Sequence, residues 1–207
     1  MPKYHEMLPR IEEKQVIDEF HDLYYSKRLG IWQNTHWLGV PVRKNPCDLM
    51  MLQEVIYETR PDVIIETGTL FGGGTLFMAN IMDAIGKGRI ISIDTEELPR
   101  PAHRRITYLQ GSSTSFDVAS MLQSKDTVMV DLDSDHSKEH VLKELHLYAP
   151  LVTEYLIVED TNTSGPREAV AEFLKDNTQF IQDKSKEKFL LTFNPGGWLR
   201  RMNADSQ

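Results

Sequence analysis

Three carboxylates and a histidine stand within six consecutive positions in Asp131-Leu132-Asp133-Ser134-Asp135-His136, at the end of an apolar run. A second apolar run ends in Val158-Glu159-Asp160-Thr161. If the two runs are neighbouring strands, five carboxylates converge on one edge, and like charges that close repel unless some are protonated or a cation intervenes. Oxygen donors without thiolates favour a hard divalent ion, magnesium first, with water or substrate completing an octahedron. His136 follows Asp133 by three residues, and an imidazole that titrates near neutrality can take a proton from a hydroxyl held by such an ion. Each piece also has a structural use: Ser134, Asp135 and Asp160 suit helix caps, and His136 suits a polar surface loop.

A second constellation lies upstream, in Glu66-Thr67-Gly68-Thr69-Leu70-Phe71-Gly72-Gly73-Gly74. Glycines permit positive φ angles and let a ligand come against the backbone, and the helix that follows offers free N–H groups to a carboxylate or phosphate. The spacing of Gly68 and Gly72 departs from the dinucleotide fingerprint G-x-G-x-x-G and resembles the acidic-x-G-x-x-x-G turn of methyltransferases. Asp94 closes the next apolar run, 26 positions after Gly68, where a carboxylate can accept both ribose hydroxyls of a nucleoside. Gly111, Ser112 and Ser113 end the third run, where an adenine edge would lie.

The elements that must position these groups alternate strand and helix. Strands are expected at 63–67, 89–94, 106–110, 127–133 and 155–159, and helices at 48–60, 73–85, 116–123, 138–148 and 166–175. That rhythm implies a parallel, doubly wound, Rossmann-like sheet covered on both faces. Residues 189–193 and 198–201 flank Asn194-Pro195-Gly196-Gly197 and read as an antiparallel C-terminal hairpin. A mostly parallel sheet of seven strands ending in such a hairpin is the element order of class I S-adenosylmethionine methyltransferases. Residues 1–45 show near-helical spacing of Ile11, Val16, Ile17, Phe20 and Leu23, followed by Tyr24, Tyr25, Trp32 and Trp37. They read as a helical and aromatic lid segment ahead of a single domain over 46–207.

Composition sets the outer limits. The 207 residues suffice for one α/β domain, and 23 Lys plus Arg against 31 Asp plus Glu give a net charge of −8. That excess argues against nucleic acid as a partner, because phosphate affinity comes mainly from Lys and Arg displacing counterions. One cysteine, Cys47, excludes an internal disulfide and a thiolate zinc site and suits a reducing cytoplasm. No run approaches the roughly 18 apolar residues of a membrane span, and no signal-peptide core follows Met1.

The stretch from Trp37 to Arg201 resembles the cephalosporin hydroxylase and rhamnosyl O-methyltransferase family, and more distantly the macrolide-sugar, catechol and caffeoyl-CoA O-methyltransferases. The resemblance is carried by Trp37-Leu38-Gly39-Val40-Pro41, by Lys44 with Pro46 and Asp48, by Glu66-Thr67-Gly68-Thr69, by Leu132 to Ser137, by Val158 to Thr161 and by Gly165-Pro166. It implies a metal held by Asp133, Glu159 and Asp160, with His136 as catalytic base. It also implies that S-adenosylmethionine is held by the turn from Glu66 to Gly74, with Gly68, Thr69, Gly72 and Gly73, and by Asp94, Ser112, Ser113 and Asp133. Gly74 stands where relatives usually carry serine, so a hydroxyl for the donor's carboxylate is absent, with Thr75 or a backbone N–H as substitute. The implied activity is metal-dependent methylation of a hydroxyl, one of a vicinal pair on a sugar or small natural product. A non-catalytic donor-binding partner is the first alternative. An iron oxygenase is the second, although no His-x-Asp or His-x-Glu occurs. A homo-oligomer is open, since many of these relatives self-associate.

Overall fold

A computed structural model describes residues 11–26 and 28–202; the first ten positions of the lid segment and the last five of the domain lie outside the described residues. Helix α1 spans Ile11–Tyr24, and a short 3-10 turn follows at Ile31–Asn34. Strands β1 (His36–Trp37) and β2 (Val40–Pro41) form a small antiparallel hairpin inside the segment in which no strand was expected. Its two turn residues, Leu38 and Gly39, both have positive φ, as a tight two-residue hairpin requires. Trp37 pins the hairpin to the domain by donating its indole N–H to Asn80 Oδ1 at 2.8 Å and packing edge-on against Phe77.

The remaining elements are α2 (Pro46–Thr59), β3 (Val63–Thr67), α3 (Gly73–Ile85), β4 (Arg89–Asp94), β5 (Ile106–Gln110), β6 (Val128–Leu132), α4 (Lys138–Tyr148), β7 (Tyr155–Val158), α5 (Ser164–Asp176), β8 (Phe180–Gln182) and β9 (Trp198–Arg201). The main sheet has seven strands in the order β5-β4-β3-β6-β7-β9-β8. Strands β5 to β7 in that order run parallel, and β9 is antiparallel to both β7 and β8. Alternate strand residues supply the two cores. Val63, Ile65, Ile91 and Val130 pack beneath α4 and α5, whereas Ile64, Ile90, Met129 and Ile157 pack against α2 and α3. Strands buried on both faces are what a parallel sheet covered by helices requires.

Two expected elements are corrected. The outer strand of the hairpin is Phe180–Gln182, not 189–193. In the latter stretch the backbone N–H of Phe193 goes to Asp48 Oδ2 at 2.8 Å and Thr192 Oγ1 donates to Asp48 Oδ1, while Leu190 adopts φ 64°. A buried side chain thus takes the N–H that a ladder would need. The helix expected at 116–123 is replaced by 3-10 turns at Ser113–Ser115 and Val118–Met121. Ser112 and Asp117 each accept a bond from a backbone N–H two or three residues on, and such local bonds compete with an α-helix.

The chain runs outward through β3, β4 and β5 and then returns to β6 on the other side of β3. The crevice beyond the carboxyl ends of β3 and β6 is therefore the switch point at which open α/β sheets bind ligands.

Candidate active site

That crevice is a cleft of about 670 Å³. Its walls include Glu66, Gly68, Thr69 and Gly74 from the glycine turn, Asp94 beyond β4, Ser112 and Ser113 beyond β5, Asp133 and His136 beyond β6, and Asp160 beyond β7. The separate strand ends singled out in the sequence thus face one space.

Glu66 is 2 % exposed and accepts from the hydroxyls of Thr75 and Ser92. Burial pushes its carboxyl up to about 7, against the opposing pull of Lys44 and the two hydroxyls. Gly68 has φ 85°, and a Cβ on it would stand 1.8 Å from the carbonyl oxygen of Asp133. Glycine there lets the β3 and β6 turns touch. Asp94 accepts from the backbone N–H of Leu70 at 2.6 Å and of Glu96 at 2.8 Å, so it fixes the glycine turn while still lining the cleft. Ser113 shares a 3.0 Å hydrogen bond with His140 Nε2.

Gly72 and Gly73 serve the turn and its packing instead of the cleft wall. Gly72 precedes α3 with φ 78°, and a Cβ on Gly73 would meet the Pro41 carbonyl at 2.2 Å. Thr75 is fully buried with its hydroxyl committed to Glu66, so it does not supply the hydroxyl that Gly74 lacks.

The acidic end is organised around a lysine. Lys44 reaches in from the segment before α2, 6 % exposed, and its Nζ lies 2.7 Å from Asp133 Oδ2, 2.6 Å from Glu159 Oε1 and 3.9 Å from Asp131 Oδ2. Burial opposes its charge, yet Asp133, Glu159 and Asp131 outweigh burial and hold its pKa well above the usual lysine range. Asp131 is fully buried, and among the described residues neither of its side-chain oxygens has a hydrogen-bond partner. Burial also acts on Asp133, but Lys44 and His136 overcome it and keep this carboxylate below its ordinary range. Glu159 is pushed well up by burial and by Asp131, and Asp160 is raised by burial and by Asp133.

His136 Nε2 stands 3.5 Å from Asp133 Oδ1 and 3.5 Å from Asp160 Oδ2. Its hydrogen bond to Asp133 leads in raising its pKa above 6.5, with burial opposing. One donor atom from each of Asp133, His136 and Asp160 lies within 4.8 Å of the others. This donor set, with an excess of buried carboxylate around one lysine, fits a hard divalent cation. Glu159 is not part of that trio; its carboxylate is turned to Lys44.

Two contacts were not anticipated. Tyr25 donates to Asp160 Oδ1 at 2.9 Å and packs on Phe193 with ring centroids 4.0 Å apart, so the N-terminal segment touches the acidic end. Lys44 was visible only as part of a motif. Its distance in sequence from Asp133 and Glu159 left no local signal.

The family described as rhamnosyl O-methyltransferase/CmcI matches residues 29–202. A rhamnosyl O-methyltransferase of Mycobacterium leprae is 32% identical over 209 residues, covering 90% of each chain. One from Mycobacterium bovis is 32% identical over 210 residues, covering 90% of this chain and 85% of the relative. Among solved structures, CmcI with Mg and SAM superposes with a TM-score of 0.65 at 20% identity, over 83% of this chain and 78% of that one. The TDP-rhamnose 3'-O-methyltransferase CalS11 superposes at 0.57 and 15% identity, over 95% and 97%. At such identities these structures bear on the fold, which is that of class I methyltransferases.

Proposed function

The chain belongs to the rhamnosyl O-methyltransferase/CmcI family, and from that premise we propose that it transfers a methyl group from S-adenosylmethionine to a hydroxyl of a sugar or small natural product, one of a vicinal pair, aided by a divalent cation such as Mg²⁺. The observation that carries the reading is that the glycine turn with Asp94 and the trio Asp133, His136 and Asp160 line the same cleft. A nucleoside donor and an acceptor hydroxyl can therefore meet.

Asp94 offers acceptor oxygens for ribose hydroxyls, and Glu66 braces the turn through Thr75 and Ser92. The positive sulfonium of the donor suits an acidic cleft. A cation held by Asp133 and Asp160, with His136 Nε2 left free, would supply positive charge that lowers the pKa of an acceptor hydroxyl. His136, in its neutral form, receives that proton at Nε2 as the oxygen forms a bond to the methyl carbon and the carbon–sulfur bond breaks. S-adenosylhomocysteine and a methyl ether leave. Asp133 and Asp160 hold the imidazole in place, and the protein contributes positioning and electrostatics to chemistry that the donor carries.

The test is calorimetric binding of S-adenosylhomocysteine with and without Mg²⁺, paired with a screen of rhamnosides and other vicinal diols for methyl transfer. Donor binding with metal-stimulated turnover is expected. Full activity in the presence of a chelator would remove the metal from the reading, and absence of donor binding would remove the methyltransferase itself.

A further inference from the structure

The cleft is acidic, yet the proposed donor ends in a carboxylate as well as an ammonium and a sulfonium. Some group must receive that anion among Glu66, Asp94, Asp133, Asp135 and Asp160, all of which line the same space. Among the described residues, two permanently charged cations line it, Lys44 and Arg43. Lys44 is committed to Asp133 and Glu159. Arg43 has no ion pair or hydrogen bond among the described residues. Its guanidinium lies over the ring of Phe71, 5.0 Å from the centroid, and its Nε is buried without a partner.

Arg43 also stands in the right place. On one side of it in the chain, the Pro41 carbonyl lies so close to Gly73 that a Cβ there would come within 2.2 Å. On the other side, Lys44 Cε would meet a Cβ on Gly74 at 2.9 Å. The segment is thus laid across the first turn of α3, where no side chain caps the helix and backbone N–H groups with the positive end of the helix dipole favour an anion. Gly74 accommodates the lysine stem, and a hydroxyl at that position is given up.

We infer that Arg43 binds the carboxylate of the S-adenosylmethionine amino-acid tail, at the amino end of α3 beside Gly74. This rests on the proposed methyltransferase reading and names a donor contact within it. Arg43 forks two N–H groups toward a carboxylate, a pairing that a hydroxyl cannot match in strength. The contact acts on donor affinity and orientation rather than on the proton transfer.

The experiment measures binding of two probes to the metal-free protein by calorimetry: S-adenosylhomocysteine, which carries the carboxylate, and 5'-methylthioadenosine, which lacks the amino-acid tail. Arg43→Met should weaken S-adenosylhomocysteine by about tenfold to a hundredfold, the range for losing a hydrogen bond to a charged group, and leave 5'-methylthioadenosine within about twofold. Arg43→Lys should recover part of the loss, with unfolding temperatures confirming that each variant is folded. Equal losses for both probes, or none for either, would overturn the assignment. So would unchanged S-adenosylhomocysteine binding with a loss confined to an anionic acceptor. Failure of the unsubstituted protein to bind S-adenosylhomocysteine would instead bring down the methyltransferase reading.

Discussion

Glu66 gives the sharpest physical prediction because its environment is fully specified. Its carboxyl is buried at the end of β3 and pushed up to about 7 by that burial, whereas an unfolded glutamate titrates at about 4.3. Between these values the folded protein holds a proton that the unfolded chain has released. Stability therefore falls as pH rises from about 4.5 to about 7 and levels off above that. A displacement of about 2.7 pH units at 1.36 kcal/mol per unit amounts to about 4 kcal/mol in all, of which about 3 kcal/mol falls between pH 4.5 and 8. Glu66→Gln keeps an oxygen to accept from Thr75 and Ser92 but has no proton to lose. Unfolding in urea, followed by far-ultraviolet circular dichroism from pH 4.5 to 8, should show the unsubstituted protein losing about 3 kcal/mol more than Glu66→Gln over that range. The comparison cancels Asp48, which burial raises to about 6 and which acts in the same direction in both proteins. Parallel stability curves would refute the reasoning, since they would mean that Glu66 is ionised at ordinary cost despite its burial.

Three further outcomes are expected. Gly68→Ala should destabilise the fold by several kcal/mol, because its Cβ meets backbone rather than a movable side chain and its φ is positive; an unfolding midpoint within a degree of the unsubstituted protein would contradict this. Asp133→Ala should abolish turnover while leaving S-adenosylhomocysteine affinity within a few fold, and it should loosen Lys44, which a lowered melting temperature reports. His136 in the metal-free protein should titrate above 6.5 by NMR, since Asp133 favours its protonated form, and Mg²⁺ should move the titration down; a neutral base then requires less alkaline conditions when the ion is present.

The positions of β3, α3, β4, β5 and α4 were legible because each is short, strongly patterned and bounded by its own signals: Pro61 before β3, Gly72 and Gly86 around α3, Asp94 at the end of β4. The turn and the acidic strand ends were legible for the same reason, as each motif is contiguous. Phe189 to Phe193 misled because an apolar run says that residues are buried, not that they pair. Phe193 is buried against Tyr24 and Tyr25 while its N–H is held by Asp48, 145 positions away. Likewise nothing near Lys44 marks it as a partner of Glu159. A lysine in a polar loop and one inside a sheet edge have the same sequence signature, and only the fold of the N-terminal segment separates them.

That lysine alters how the acidic excess works. Asp131, Asp133, Glu159 and Asp160 crowd two adjacent strand ends, and without a local cation their repulsion would splay the loops or force protonation. Lys44 bridges Asp133 and Glu159 directly, so the site has a built-in positive charge before any metal arrives. It is delivered by the same segment that carries Tyr25 to Asp160 and Arg43 to the cleft wall. The N-terminal segment is therefore an electrostatic part of the site. Removing its charge while keeping its bulk, as in Lys44→Met, would strand buried carboxylates. The cost should exceed that of an exposed ion pair, which is about 0–1 kcal/mol, and approach the roughly 3–5 kcal/mol of a broken buried one. Addition of Mg²⁺ should restore part of that stability, because the ion neutralises the carboxylates that the lysine no longer faces.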